Sequence, residues 1–254
     1  MPILPLETEI VYGPLRSRRL GLSLGVNLLP ADEKVCSFDC VYCHYGRTTV
    51  RTLQPSGLNF PSMPQVRRAV ERALRRHPDV AYLTFSGNGE PTLHPFFSEI
   101  VAEVVDLRDA LAPAVKVALF SNATTVGRPE IRAALARIDA PILKLDAGDA
   151  ETLARINRPV PAVTWADVVA GLKRVPNLTV QSVLIDGTVS NVRGDAFDAW
   201  VAALAAIRPA RVQIYSTDYP VPNVGVERVL PYVLNRIAAE VRRRTELQVE
   251  AYYW

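Results

Sequence analysis

Apolar runs of strand length alternate with helical patterns along most of this 254-residue chain. Residues 80–85, 115–121, 142–146, 178–185 and 211–215 read as strands, and 64–76, 95–111, 128–138, 164–174, 194–207 and 226–244 as helices. In the helix at 64–76, Val66, Ala69, Val70, Ala73 and Leu74 recur at helical spacing, which leaves Arg67, Arg68, Arg72, Arg75 and Arg76 on a solvated face. Thr164 and Asp167 form a capping-box-like pair, and Pro176 and Pro209 end the helices before them.

This alternation predicts an α/β fold with a parallel sheet and outer helices. A further strand at 33–36 brings the count to six, and right-handed crossovers curl such strands into a partial (β/α)6 barrel whose post-strand loops share one rim. No boundary between two domains stands out in residues 1–254. Residues 1–32 read as an N-terminal extension, 33–225 as the β/α core and 226–254 as a C-terminal helix followed by an edge strand, where Leu247, Val249 and Ala251 alternate. Residues 46–63 and 216–225 are Pro/Gly-containing loops of active-site length.

Charge narrows the classes. Twenty-nine basic residues against 26 acidic ones give a net +3, too even for binding nucleic acid through an overall field. The N-terminus lacks a signal-peptide pattern, and the apolar runs are too short for a membrane span. All 3 cysteines fall between positions 36 and 43, a poor disulfide framework and a good metal site, so a reducing cytoplasm is expected.

Those cysteines, Cys36-x-x-x-Cys40-x-x-Cys43, can hold three irons of a cubane cluster and leave the fourth without a protein ligand. Two other readings are a zinc site adding His44, although adjacent Cys43 and His44 rarely both face one ion, and a non-catalytic electron carrier or sensor. Ser86-Gly87-Asn88-Gly89-Glu90-Pro91 follows a strand, and its glycines permit a tight turn. Ser121 and Asn122 end the next strand. Lys144 and Asp146, two apart, share a face, and a buried pair of this kind needs a partner or a ligand. Gln181 and Ser182 on the fifth repeat strand, and Gln213 and Tyr215 on the sixth, are expected to look into the same interior. Arg155 and Arg158 on the rim, with Arg16, Arg18 and Arg19, offer guanidinium forks for an anionic substrate or serve as surface ion pairs. His44 and His94 sit beside the motifs as loop hydrogen-bonding or proton-transfer groups.

The segment CSFDCVYCHYG, with Tyr42 before its third cysteine, resembles the cysteine loop of the radical S-adenosylmethionine (radical SAM) superfamily. Within that superfamily, YGPLRSRRLGLSLGVNLLP, TFSGNGEPTLHP, KLDAGDAETLARINRP and VQIYSTDYP resemble a group related to wyosine-type transfer-RNA synthases. The resemblance implies a [4Fe-4S] cluster on Cys36, Cys40 and Cys43, and S-adenosylmethionine chelating the open iron. It also implies an external electron donor of flavodoxin or ferredoxin type, and a 5′-deoxyadenosyl radical that takes hydrogen from a substrate. Cofactor contacts are expected from Tyr42, Gly87, Gly89, Glu90, Ser121, Asn122, Lys144, Asp146, Gln181 and Ser182. Asn88 stands where the family often has a second glycine. Substrate contacts are expected from Gln213, Tyr215 and the five arginines. An RNA nucleobase is the leading substrate class, with a peptide or protein and a small metabolite as alternatives. Wyosine synthases carry a second set of cysteines that this chain lacks, so neither their reaction nor a Schiff-base role for Lys144 is carried over.

Overall fold

A computed structural model of the protein describes residues 4–218 and 221–253. Tyr219 and Pro220 of the VQIYSTDYP segment and the terminal Trp254 therefore lie outside the described residues. The N-terminal half contains β1 (Val11–Ser17), β2 (Gly21–Val26), β3 (Val35–Cys36), β4 (Val50–Arg51), α1 (Met63–Arg76), β5 (Tyr82–Phe85), α2 (Phe97–Leu111), β6 (Lys116–Ser121) and α3 (Pro129–Leu135). There follow β7 (Ala140–Lys144), α4 (Ala150–Ile156), α5 (Trp165–Leu172), β8 (Thr179–Val183), β9 (Ile185–Gly187), α6 (Gly194–Ile207), β10 (Arg211–Tyr215), β11 (Val226–Arg228), α7 (Pro231–Thr245) and β12 (Val249–Tyr252).

The sheet runs β1-β2-β5-β6-β7-β8-β10-β12. Only β1 and β2 pair antiparallel; every other neighbouring pair in it is parallel. This is the curled half-barrel with outer helices that the alternation predicted. Local chemistry fixes the start of α5 as expected, where Asp167 N donates to Thr164 Oγ1 at 3.1 Å, and α1 opens on a further capping bond in which Gln65 Oε1 accepts from Ser62 N at 2.8 Å. The C-terminal edge strand also forms, with β12 parallel to β10 from Val212↔Val249 to Tyr215↔Tyr252.

Four expectations change. The opening parallel strand is Gly21–Val26, inside the presumed extension, whereas 33–36 supplies only the two-residue β3, paired with β4. The run at 178–185 breaks after Val183, and Ile185–Gly187 turns away to pair antiparallel with Val226–Arg228. The last helix accordingly starts at Pro231, in the first turn where a missing amide costs nothing. A short helix, Ala150–Ile156, was not foreseen; its cap is Asp149, whose Oδ1 accepts from Thr152 N at 2.7 Å.

Alternation along each strand sorts side chains between a polar interior and an apolar layer under the helices. Leu143, Val180 and Val212 belong to that apolar core with Trp200, the largest fully buried side chain. Trp200 donates its indole N–H to Leu145 O at 3.0 Å and Ser182 Oγ at 3.1 Å. On the interior side, the β1–β2 turn inserts Leu20 against Ala118 and Ile142. Trp200→Ala is expected to cost about 3–5 kcal/mol, and Phe96→Ala, at an exposed position, to stay within about 0.5 kcal/mol. Urea denaturation followed by circular dichroism measures both.

Candidate active site

Backbone hydrogen bonds hold the cysteine loop at both ends: Asp39 N and Val41 N donate to Asn157 O and Ile156 O at 2.9 Å, and Val35 meets the turn after β5. Val35 N donates to Asn88 O at 3.0 Å, and Glu90 N donates to Val35 O at 3.0 Å. Gly89, at φ +138°, makes this possible: a Cβ there would lie 1.9 Å from the Val35 carbonyl oxygen. The close approach that the glycines permit is thus to the protein's own backbone. Asn88 is fully buried, and its amide donates to Glu7 O at 2.9 Å and Pro30 O at 2.8 Å while its Oδ1 accepts from Glu7 N at 2.7 Å. A glycine could make none of these side-chain bonds, which accounts for an asparagine at this place.

Beneath the junction lies a cavity of about 480 Å³, a size common among small-molecule sites. Its wall includes Cys36, Cys40 and Cys43, all free thiols, with Tyr42 between them. Gly87, Gly89, Glu90, Ser121 and Asn122 line one side, and Lys144, Gln181 and Tyr215 another. Arg16, Arg18 and Arg19 reach it from the β1–β2 hairpin. A second cavity of about 430 Å³, between β1 and α1, contains none of these residues.

Glu90 accepts from Asn122 N at 2.6 Å and from Thr92 N and Oγ1 at 3.2 and 2.6 Å, and burial pushes its carboxyl up. Asn122 Nδ2 donates to Ser37 Oγ at 2.9 Å and approaches Cys36 Sγ at 3.5 Å, so the strand end braces the cysteine loop. Asp146, beyond the end of β7, accepts from Val183 N at 2.8 Å, from Asn157 Nδ2 at 2.7 Å and from the Tyr42 hydroxyl. Lys144 Nζ stands 3.5 Å from the same carboxylate and 5.2 Å from the centre of the Tyr42 ring. Burial opposes the lysine's charge, but Asp146, Tyr215 and Cys40 together outweigh it and hold the ammonium above its usual range.

Arg19 stacks between Phe120 and Tyr215, 4.3 and 4.6 Å from their ring centres, and donates to Gln181 Oε1 at 2.7 Å. Gln213 lies at 3.4 Å from the same guanidinium nitrogen. Arg18 pairs with Asp218, which Arg228 also meets at 2.7 Å. Among the described residues, no carboxylate pairs with Arg16 or Arg19.

Two expectations fail. Ser182 faces away from Gln181, as strand neighbours must, and bonds Leu145 O and Trp200 under α6. Arg155 pairs with Glu151 on the outside of α4, and neither it nor Arg158 lines the cavity, because the unforeseen helix carries that segment away. His94 bonds Pro61 O and Phe96 N, both at 3.0 Å, which is the loop hydrogen-bonding role expected of it. His44 does line the cavity, where burial lowers its pKa.

Two participants were missed. Lys34 is 3% exposed, lines the cavity and donates from Nζ to Gly46 O at 2.6 Å. Its sequence signal was its place two residues before Cys36 in the expected strand at 33–36, a spacing that puts both on one face. Asn157 joins Asp146 to the Cys40 sulfur, 3.3 Å from its amide, and nothing local in the sequence marks it. Burial pushes both Cys36 and Cys40 up, the latter to about 11, so in the metal-free protein these are thiols. Binding metal must displace their protons.

Comparison with known families agrees with this arrangement. Residues 34–189 match the model of the radical SAM superfamily. The chain belongs to the radical SAM superfamily. It is an enzyme of that superfamily, whose members use a [4Fe-4S] cluster and S-adenosylmethionine. It is 35% identical over 165 residues to a UPF0026 protein of Methanocaldococcus jannaschii, 64% of this chain and 48% of that protein. It is 30% identical over 220 residues to a UPF0026 protein of Synechocystis, covering 84% and 77% of the two. A protein described as GTPase Obg from Brachyspira hyodysenteriae is 32% identical over 167 residues, 66% of this chain and 23% of its own length. This radical SAM chain therefore spans less than half of two of these relatives.

Solved structures extend the likeness in fold. A radical SAM methyltransferase from Sphaerobacter thermophilus superposes with a TM-score of 0.65 at 16% identity, over 91% of this chain and 66% of its own. TYW1 with a bound lysine-pyruvate adduct gives 0.63 at 13% identity, over 88% and 74%. Within this radical SAM fold the Val35–Gly89 contact predicts a sharp mutational asymmetry. Gly89→Ala is expected to destabilise by more than about 2 kcal/mol. Gly127→Ala, whose Cβ would meet nothing within 4 Å, should unfold at nearly the wild-type temperature in a calorimetric scan.

Proposed function

We propose that this cavity is the active site, with Cys36, Cys40 and Cys43 holding the [4Fe-4S] cluster and the rest of the wall holding S-adenosylmethionine and an anionic substrate. One observation carries the reading: three free thiols, a glycine turn and a cluster of polar strand-end side chains share a single wall. The donor set suits a cubane, whose three protein-held irons are separate atoms, so its thiolates need not meet at one point. Among the described residues, no three His, Cys, Asp or Glu side chains converge on a single metal ion.

When bound, the cluster and cofactor supply reductive cleavage of a sulfonium followed by hydrogen-atom abstraction. The chain's residues bind, orient and exclude water. Glu90, with Ser121 and Asn122, offers a polar edge beside Cys36 for the cofactor's methionyl group, and the Gly87–Gly89 backbone lies along it. Tyr42, Asp146 and Asn157 fix the loop around Cys40. Lys144, already balanced by Asp146, adds a donor without adding net charge.

Of the five cations that line the cavity, Arg18 pairs with Asp218 and Lys144 with Asp146, while Arg16, Arg19 and Lys34 have no carboxylate partner among the described residues. Arg19 is held flat and rigid by its two rings, ready to fork onto a carboxylate or phosphate, with Gln213 and Tyr215 beside it. We therefore read the substrate as anionic, either a nucleotide unit of RNA or a small acidic metabolite. An external donor of flavodoxin or ferredoxin type supplies the electron, and the reducing cytoplasm suits the free thiols. No helix among the described residues is long and apolar enough to cross a membrane.

The protein reconstituted without oxygen is expected to form 5′-deoxyadenosine when given dithionite and S-adenosylmethionine. Cys36→Ala, Cys40→Ala and Cys43→Ala should each fall to background. An intact cluster that yields no cleavage product from the wild-type protein would remove the enzymatic reading of this cavity. Nucleoside profiles from cells with and without the gene separate the substrates: a missing modified nucleoside supports RNA, and unchanged profiles favour the acidic metabolite.

A further inference from the structure

We infer that Lys34 is the built-in counter-charge of the cluster, stabilising its reduced state and so setting the potential at which the enzyme accepts its electron. The inference rests on the proposed role of the three cysteines.

Lys34 is held from both directions. Its amide donates to Thr49 Oγ1 at 2.9 Å, and its carbonyl accepts from Thr49 Oγ1 at 3.1 Å and from Val50 N at 3.0 Å. The side chain is buried and reaches the cavity. Its ammonium donates to the Gly46 carbonyl, three residues after Cys43, at 2.6 Å. Among the described residues, no carboxylate forms an ion pair with it. Glu90, the acid of the same wall, is already engaged by Thr92 and Asn122.

A buried ammonium needs negative charge nearby, and a carbonyl dipole alone is a weak answer. The groups that supply it are the cysteine sulfurs. Cys36, Cys40 and Cys43 line the same cavity as Lys34, and Gly46, whose carbonyl takes the ammonium, donates its own N–H to Cys43 O at 2.9 Å. The compensation is complete only when the cysteines are thiolates, as they are on iron. One-electron reduction adds negative charge to the cluster, and a fixed positive charge in a low-dielectric wall favours that state by Coulomb attraction. Lys34 also joins the two ends of the cysteine loop through Gly46, so charge and tether must be separated experimentally.

Lys34→Gln keeps a donor for Gly46 and loses the charge; Lys34→Arg keeps the charge. Each is reconstituted without oxygen, assayed for iron and sulfide, and titrated by electron paramagnetic resonance at controlled potentials. For Lys34→Gln with a full cluster, the ratio of reduced to oxidised cluster at a fixed potential should fall at least tenfold, a 59 mV negative shift for one electron. Lys34→Arg should remain close to wild type. Failure of Lys34→Gln to load, with Lys34→Arg loaded at the wild-type potential, supports the same conclusion. Unshifted Lys34→Gln, equal shifts in both variants, or failure of both to load would overturn it and leave Lys34 a tether. A wild-type protein that takes up no cluster would instead sink the proposed function itself.

Discussion

The contact between Val35 and the Gly87–Glu90 turn is the one on which the rest of the site depends. It fastens an otherwise irregular cysteine loop to the turn after β5 through two backbone hydrogen bonds that form a parallel bridge between Val35 and Gly89. The turn admits no side chain at Gly89 and fills the neighbouring space with the amide of Asn88. From this junction the first cysteine follows directly. Asn122 just after β6 and Asn157 just after α4 brace the first and second sulfurs from the far side. The parallel barrel contributes what parallel barrels generally do, a rigid rim of strand ends on which polar side chains converge.

Charge is the second theme of the cavity. Asp146 balances Lys144, and Asp218 meets both Arg18 and Arg228. Lys34, Arg16 and Arg19 are left without carboxylates among the described residues. A polar interior in this condition suits the proposed anions, the thiolates of its own three cysteines on iron together with a methionyl carboxylate or an acidic group of the substrate. Arg19 does double duty. It sits between Phe120 and Tyr215, and Leu20 beside it packs into the barrel interior, so the hairpin that closes the barrel also delivers the cation.

Much of this could be read from the sequence because it is local. The cysteine spacing, the SGNGEP turn and the alternating strands depend on neighbours in the chain. Residues whose roles arise across the fold were harder. Ser182 was misplaced because a polar residue on a central strand serves either face, and Trp200, 18 residues away, claims it for the helical layer. Arg155 looked well placed until the Asp149 cap started a helix that carries it outward. The hairpin of β1 and β2 escaped notice even though Leu20, Leu22, Leu24 and Val26 alternate, because β1 contains Gly13 and Pro14, which read as loop. Asn157 reaches Cys40 across 117 positions, a distance over which no periodicity speaks.

The central claim is that the three thiols surround a cluster with one iron left to the cofactor. Mössbauer spectroscopy of the iron-57 protein, before and after S-adenosylmethionine is added, tests it most directly. The account predicts that one iron of the four separates from the others on addition. Four irons that stay alike, with the cofactor shown to be bound, would contradict it.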